Sequence, residues 1–250
     1  LRTENIQIEF PNAAEINERL ETVLTTLYLL FNEGYYSASQ NVNLRKELCL
    51  EAMRLTYLLI ENEPTNLPSV NALLSLMCFH ASRFDARTNE NDEIVLYHEQ
   101  DENLWNKDLI QKGEYFLNRA AKGNKISKYH AEAGIAYWHT IKSDSIEKWS
   151  KILQLYNQLL VIEYSPMAAL NRTYALSKVK GNIEAVKEAE KLKLNDNHLY
   201  HTLLGELYAD IDIVKAKQHF EIALKLAKSE TDKTIISTKL HGLKTEKKQL

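Results

Sequence analysis

Glycine and proline are scarce in this chain, with 7 and 4 among 250 residues. Seven glycines that each stand alone cannot form the clustered loop whose backbone amides cradle a phosphate, so the common nucleotide-binding loops are excluded. With so few turn formers and 44% hydrophobic residues, the composition reads as predominantly helical, with enough apolar surface for a sizeable core. Cysteine is nearly absent too. Cys49 and Cys78 lie outside any Cys-x-x-Cys spacing and among apolar residues, which reads as two buried reduced thiols rather than a metal site. There is no His-Glu-x-x-His and no nucleophile with a base in a recognised arrangement, so neither an enzyme nor a bound metal or cofactor is expected. No apolar run is long enough to cross a bilayer, and a formal net charge of -3 excludes a global basic field that would attract nucleic acid. The opening Leu1-Arg2-Thr3-Glu4-Asn5 has neither a signal-peptide pattern nor an initiator methionine. It reads as the start of a matured or excised piece of a longer protein, and the expected compartment is the cytoplasm.

What is present is a repeat. Gly134-Ile135-Ala136-Tyr137 and Gly205-Glu206-Leu207-Tyr208 are two copies of a Gly-x-x-Tyr fragment, and Asn171-Arg172-Thr173-Tyr174 is an imperfect third between them, at about one tetratricopeptide period. A small residue lets two helices approach, and the aromatic three positions later lies on the same face to fill the gap beside it. The partner helices carry the other half of the pattern: Ala216, Phe220 and Ala223 in small-large-small order, Ile152, Tyr156 and Leu159 with larger residues, Ala185 and Ala189 with only the small positions. The expected fold is all-α, with antiparallel helix pairs stacked as a tetratricopeptide-like right-handed array over 126–250, preceded by a packed helical layer over 1–125.

Helix boundaries follow from caps and periodicity. Asn12 and Glu15 frame a first helix that ends near Gly34, and a second runs from about Asn43 to Asn62. Pro64 and Pro68 lead into a third carrying Leu73, Leu76, Met77 and His80, and a polar run from Asp85 to Glu93 reads as a loop. Asp101 is expected to cap a long helix through Trp105, Leu109, Phe116 and Ala120 that stops at Gly123-Asn124. Ser127, Asp144 with Glu147, Ser165-Pro166, Gly181-Asn182 and 195–197 mark the ends of later helices. From about Thr231, a last amphipathic helix with Lys233, Lys239, Lys244, Lys247 and Lys248 closes the stack, its positive charge suited to a helix C-terminus rather than to nucleic acid.

The densest polar constellation joins His80, Arg83 and Arg87, which share a helical face, with His98, Glu99, Gln100 and Asp101 ahead of Trp105. It is either an anion pocket or metal site, or an ion-pair network in which Asp101 or Glu99 meets the arginines; the loose ligand spacing favours the network. Asn32-Glu33-Gly34-Tyr35 reads equally as a binding lip or as a helix C-cap with aromatic cover.

Several runs resemble one family. Leu27-Tyr28-Leu29-Leu30-Phe31-Asn32-Glu33-Gly34-Tyr35 and Leu48-Cys49-Leu50-Glu51-Ala52-Met53-Arg54-Leu55 are similar to the C-terminal extension of a group of ECF-type RNA polymerase sigma factors. The block from Ala72 to Met77 with His80, Arg83, Ala86 and Arg87 follows in family order. So do Gln100-Asp101 with Trp105 and Leu109-Ile110, Ile135-Ala136 with His139, and Ser165-Pro166 with Leu170-Asn171-Arg172. The resemblance implies a tetratricopeptide-like regulatory extension, separate from the two N-terminal domains that contact promoter DNA in such proteins. Neither of those domains is recognisable here. Implied partners are RNA polymerase core, the sigma factor's own N-terminal domains, and a DGPF-type (YCII-related) protein encoded near such genes. A small-ligand-sensing domain and a stand-alone scaffold are the alternatives.

Overall fold

The computed structural model of the chain describes residues 13–35, 45–89 and 95–245. Asn12, Asn43, Lys247, Lys248 and the part of the polar run over 90–93 lie outside the described residues. Among those described there are eleven α-helices and no strand: α1 Ala13–Tyr35, α2 Lys46–Glu61, α3 Pro68–Ala81, α4 Lys107–Ala120, α5 Lys128–Trp138, α6 Ile146–Ile162, α7 Pro166–Lys180, α8 Asn182–Leu192, α9 His198–Tyr208, α10 Ile213–Leu226 and α11 Glu230–Thr245. None is long and apolar enough to cross a membrane. They form two compact units, Leu1–Thr140 and Ile141–Leu250.

The first unit is built around α3. Its apolar residues run all the way round the helix, the mark of a helix covered on every side, and each residue from Val70 to Phe79 is buried. Helices α2, α4 and α5 supply the cover. The approach to α4 is close: a Cβ on Gly113 would stand 2.5 Å from the Phe79 ring, and the Ser75 hydroxyl donates to the Gly113 carbonyl at 2.8 Å. Helix α5 belongs here as well, although its Gly-x-x-Tyr fragment suggests that it opens the array after residue 125. Its Ala133 and Ala136 pack with Leu76 and Phe79, and the rings of Tyr137 and Phe79 lie 5.7 Å apart. Ala133 is fully buried while Gly134 is only half-buried, so the alanine makes the contact expected of the glycine.

The second unit holds successive helix pairs. In α9 and α10 the expected device operates: a Cβ on Gly205 would stand 2.8 Å from the Phe220 ring, and Ala216, Phe220 and Ala223 are buried. Tyr208 is buried too, its hydroxyl donating to Glu190 of α8 at 2.6 Å. The imperfect copy in α7 departs from it. Asn171 is exposed, and Tyr174 meets Trp149 edge-on at 5.4 Å instead of filling a gap, while Ala168, Ala169, Thr173 and Ala175 face the core. With no glycine at position 171, the backbones have less room, and small residues elsewhere on α7 carry the packing.

Most caps fall where the sequence puts them. Ser165 accepts from the Ala168 amide with Pro166 at the first helical position, Gly181 takes φ 85° between α7 and α8, and Asn197 accepts from Leu199 N at 2.8 Å. Two differ by a few residues. Asp101 caps only the short turn Glu102–Leu104, and Asn106 caps α4 by accepting from Leu109 N at 3.0 Å, so Trp105 precedes the long helix. Ser145, not Asp144, caps α6, because the Asp144 carboxylate is taken by the Trp149 indole N–H and by Lys178.

Adding a methyl at either close approach forces an aromatic ring to move. Gly113→Ala and Gly205→Ala should each lower unfolding free energy by about 1–3 kcal/mol. Gly242→Ala in α11, where nothing lies within 4 Å of the added carbon, should be neutral or stabilising by up to about 1 kcal/mol. Urea denaturation of the three variants measures the contrast.

Candidate functional site

The polar residues singled out in the first half of the chain divide into a buried group and a surface group. Tyr35, at the end of α1, is 2% exposed and therefore not a lip. Its ring stacks on Phe31 at 5.7 Å and meets His80 at 4.7 Å and Phe84 at 6.0 Å. Gly34 brings it there: a Cβ would stand 2.7 Å from Cys49 Sγ and 2.8 Å from the Arg45 carbonyl, so only glycine lets α1 end against the start of α2. Beside it Asn32 is half-buried, and Glu33 turns outward to pair with Arg45 at 3.8 Å.

The arginines are held by π faces. The Arg87 guanidinium lies 3.9 Å from the centre of the Tyr35 ring, and that of Arg83 lies 5.5 Å from Tyr97 while one of its N–H groups reaches Tyr35 Oη at 3.4 Å. Tyr97 continues the chain of rings, stacking on Trp105 at 6.2 Å and meeting His139 edge-on at 5.2 Å. Gln100 is buried and donates to the Val95 carbonyl at 3.2 Å. The Trp105 indole N–H and the Arg83 Nε–H are both buried without an acceptor. His80 is kept neutral: burial first, then the charges of Arg83 and Arg87 and the nearby His139, holds its pKa well below the ordinary value.

Neither Asp101 nor Glu99, the carboxylates expected to meet the arginines, joins this cluster, and His98 stays outside it too. Asp101 is exposed and accepts from the backbone and side chain of Asn103 at 2.9 Å, and His98 and Glu99 pair with each other at 3.6 Å on the surface. The cluster is therefore Tyr35, His80, Phe84, Arg83, Arg87, Tyr97, Trp105 and His139, with Gln100 alongside. Tyr97 was legible only as an aromatic eight positions before Trp105, a spacing with no helical meaning in a segment of short turns. Among the described residues, no group of three or more His, Cys, Asp or Glu could hold a metal. Burial pushes the Cys49 thiol up to about 11 and that of Cys78 up to about 12, so both are protonated, unreactive core thiols at neutral pH.

A histidine held neutral in the fold but free to charge in the unfolded chain favours folding above its ordinary pKa, and that contribution is lost as pH falls. Stability should decline from about pH 6.5 downward. His80→Gln should flatten the decline between about pH 6.5 and 5, a range fixed by the ordinary histidine pKa, as read from urea midpoints. An unchanged slope would assign the effect to other groups.

Residues 19–121 match the model of a family of unknown function (DUF6596), a span that contains every member of the cluster except His139. A curated relative, the uncharacterized protein R00370 of Rhizobium meliloti (strain 1021), is 32% identical over 246 residues. The alignment covers 96% of this chain and 58% of that protein, so the chain spans less than two thirds of the relative it matches. No solved structure matches.

Proposed function

We propose that this chain is a regulatory protein-interaction domain of an ECF-type sigma factor, acting in transcription initiation within the cytoplasm. It works through contacts with the sigma factor's N-terminal domains, with RNA polymerase core, or with a DGPF-type partner protein, and catalyses no reaction. The observation that carries the reading is the assembly of the cluster. Tyr35, then His80, Arg83 and Arg87, then Trp105, and finally His139 come from four separate runs that each resemble the same family, and they meet in one place. The length of the relative beyond the aligned span leaves room for further domains, to which promoter recognition is assigned. Two lysines of α11 support that assignment: Lys233 pairs with Glu230 at 2.7 Å and Lys239 with Glu206 at 2.5 Å instead of standing free for a phosphate backbone.

A second reading, a small-ligand sensor at the same cluster, draws on the acceptor-less N–H groups of Trp105 and Arg83. Such a ligand would supply an acceptor to these groups.

Run-off transcription tests the first reading. The intact relative and a version cut to its region outside the alignment should differ several-fold in output from a responsive promoter, and equal output would sink the proposal. The 250-residue chain alone should give no sequence-dependent shift of promoter DNA; a shift with sequence preference would overturn the division of labour.

A further inference from the structure

Away from the aromatic cluster, the first unit carries a groove of about 380 Å³ lined by Asn66, Pro68, Asn71, Tyr115, Arg119 and Lys122. It lies where the first turn of α3 meets the last turn of α4. Leu67 precedes α3 and offers no side-chain cap, so positive helix-end character adds to that of Arg119 and Lys122. The Arg119 guanidinium has neutral oxygens for partners, Asn66 Oδ1 at 3.1 Å and Tyr115 Oη at 3.2 Å.

Asn66 Oδ1 is notable for what converges on it. It accepts from Arg119 Nη2 of α4 and from Asn71 Nδ2 of α3 at 2.9 Å, the arrangement of donors that an oxyanion's oxygen would receive. Asn71 is 3% exposed, and its amide also donates to the Leu67 carbonyl at 3.0 Å. A carbonyl can only accept, so the Asn71 carboxamide cannot be turned over, and its Oδ1 is left buried with no donor. The groove thus combines cationic donors and a side-chain oxygen in the position of a ligand oxygen, and Asn71 in its wall carries one acceptor that lacks a hydrogen.

We propose that this groove binds a hydrogen-bearing phosphate. Its P–O⁻ oxygens replace the Asn66 carboxamide oxygen on Arg119 and engage Lys122, and its P–OH hydrogen goes to Asn71 Oδ1. At neutral pH phosphate still carries a hydrogen whereas sulfate carries none, so the acceptor discriminates between two anions of similar size. The binding is non-covalent and rests on the groove alone, whatever partner the rest of the domain takes.

Calorimetric titration of the full chain at constant ionic strength, with inorganic phosphate, sulfate and glycerol 3-phosphate as probes, tests this. Phosphate should bind about tenfold more tightly than sulfate, the worth of one well-placed hydrogen bond. The monoester arm checks the hydrogen: glycerol 3-phosphate loses its last P–OH hydrogen at about pH 6, so at neutral pH it should bind more weakly than inorganic phosphate and gain affinity when the pH is lowered to about 6, whereas binding at neutral pH as tight as that of phosphate would overturn the role given to Asn71 Oδ1. Arg119→Gln should weaken phosphate binding at least about tenfold, and Lys122→Gln, on an exposed side chain that the fold does not need, should weaken it by a smaller factor. Asn66→Ala, which removes the competing oxygen, should strengthen it, with circular dichroism confirming that the variant is folded. No heat with phosphate, sulfate bound as tightly as phosphate, or unchanged affinity in Arg119→Gln would each overturn the proposal.

Discussion

The contact between Phe79 of α3 and the bare backbone of α4 at Gly113 sets the geometry of the first unit. Phe79 is fully buried, and its ring occupies the volume a side chain at 113 would need. With the two helices at that separation, Ser75 can bridge to the Gly113 carbonyl, and the far side of the ring is left to receive Ala133, Ala136 and Tyr137 of α5. One aromatic ring thereby fastens three helices. Removing the ring would leave a cavity lined by all of them, and enlarging Gly113 would push α4 outward, so neither position tolerates change without repacking.

The second unit uses the same solution in α9 and α10, with Phe220 against Gly205. Between these two places the solution weakens: α7 has Asn171 at the glycine position, and α8 keeps only Ala185 and Ala189. Those alanines are fully buried, packed in one cluster with Leu170, Tyr200 and Leu204. Polar ties help to fix the exposed edge. Arg172 joins Asn157 at 2.6 Å and Glu188 at 3.8 Å, and Lys178 reaches Asp144 at 3.1 Å, contacts that are partly exposed and worth little individually.

The aromatic cluster shows how cationic groups are accommodated next to a core. Guanidinium is planar and weakly hydrated, and it lies against the faces of Tyr35 and Tyr97 at lower cost than an ammonium would. Burial, with the same positive charges, keeps His80 neutral. Two buried N–H groups without acceptors, those of Trp105 and Arg83, remain in this neighbourhood, and they are what the ligand-sensing reading draws on.

Periodicity and capping chemistry are local properties, and the residues alone determined what depends on them: an all-helical fold, the small-large-small pairing of α9 with α10, the cap at Ser165, the turn at 195–197, and two buried thiols. The Gly-x-x-aromatic pattern even extends to Gly113-Glu114-Tyr115-Phe116, a copy hidden because its aromatic is phenylalanine. Only the tertiary structure decided that α5 packs in the first unit, because Phe79 is remote in sequence from Ala133 and no spacing encodes their meeting. It likewise turned Asp101 toward Asn103 and gave the arginines to aromatic rings, since a side chain's partner depends on which surfaces the folded chain brings within a few ångströms, and short turns between Val95 and Trp105 carry no period from which that could be read.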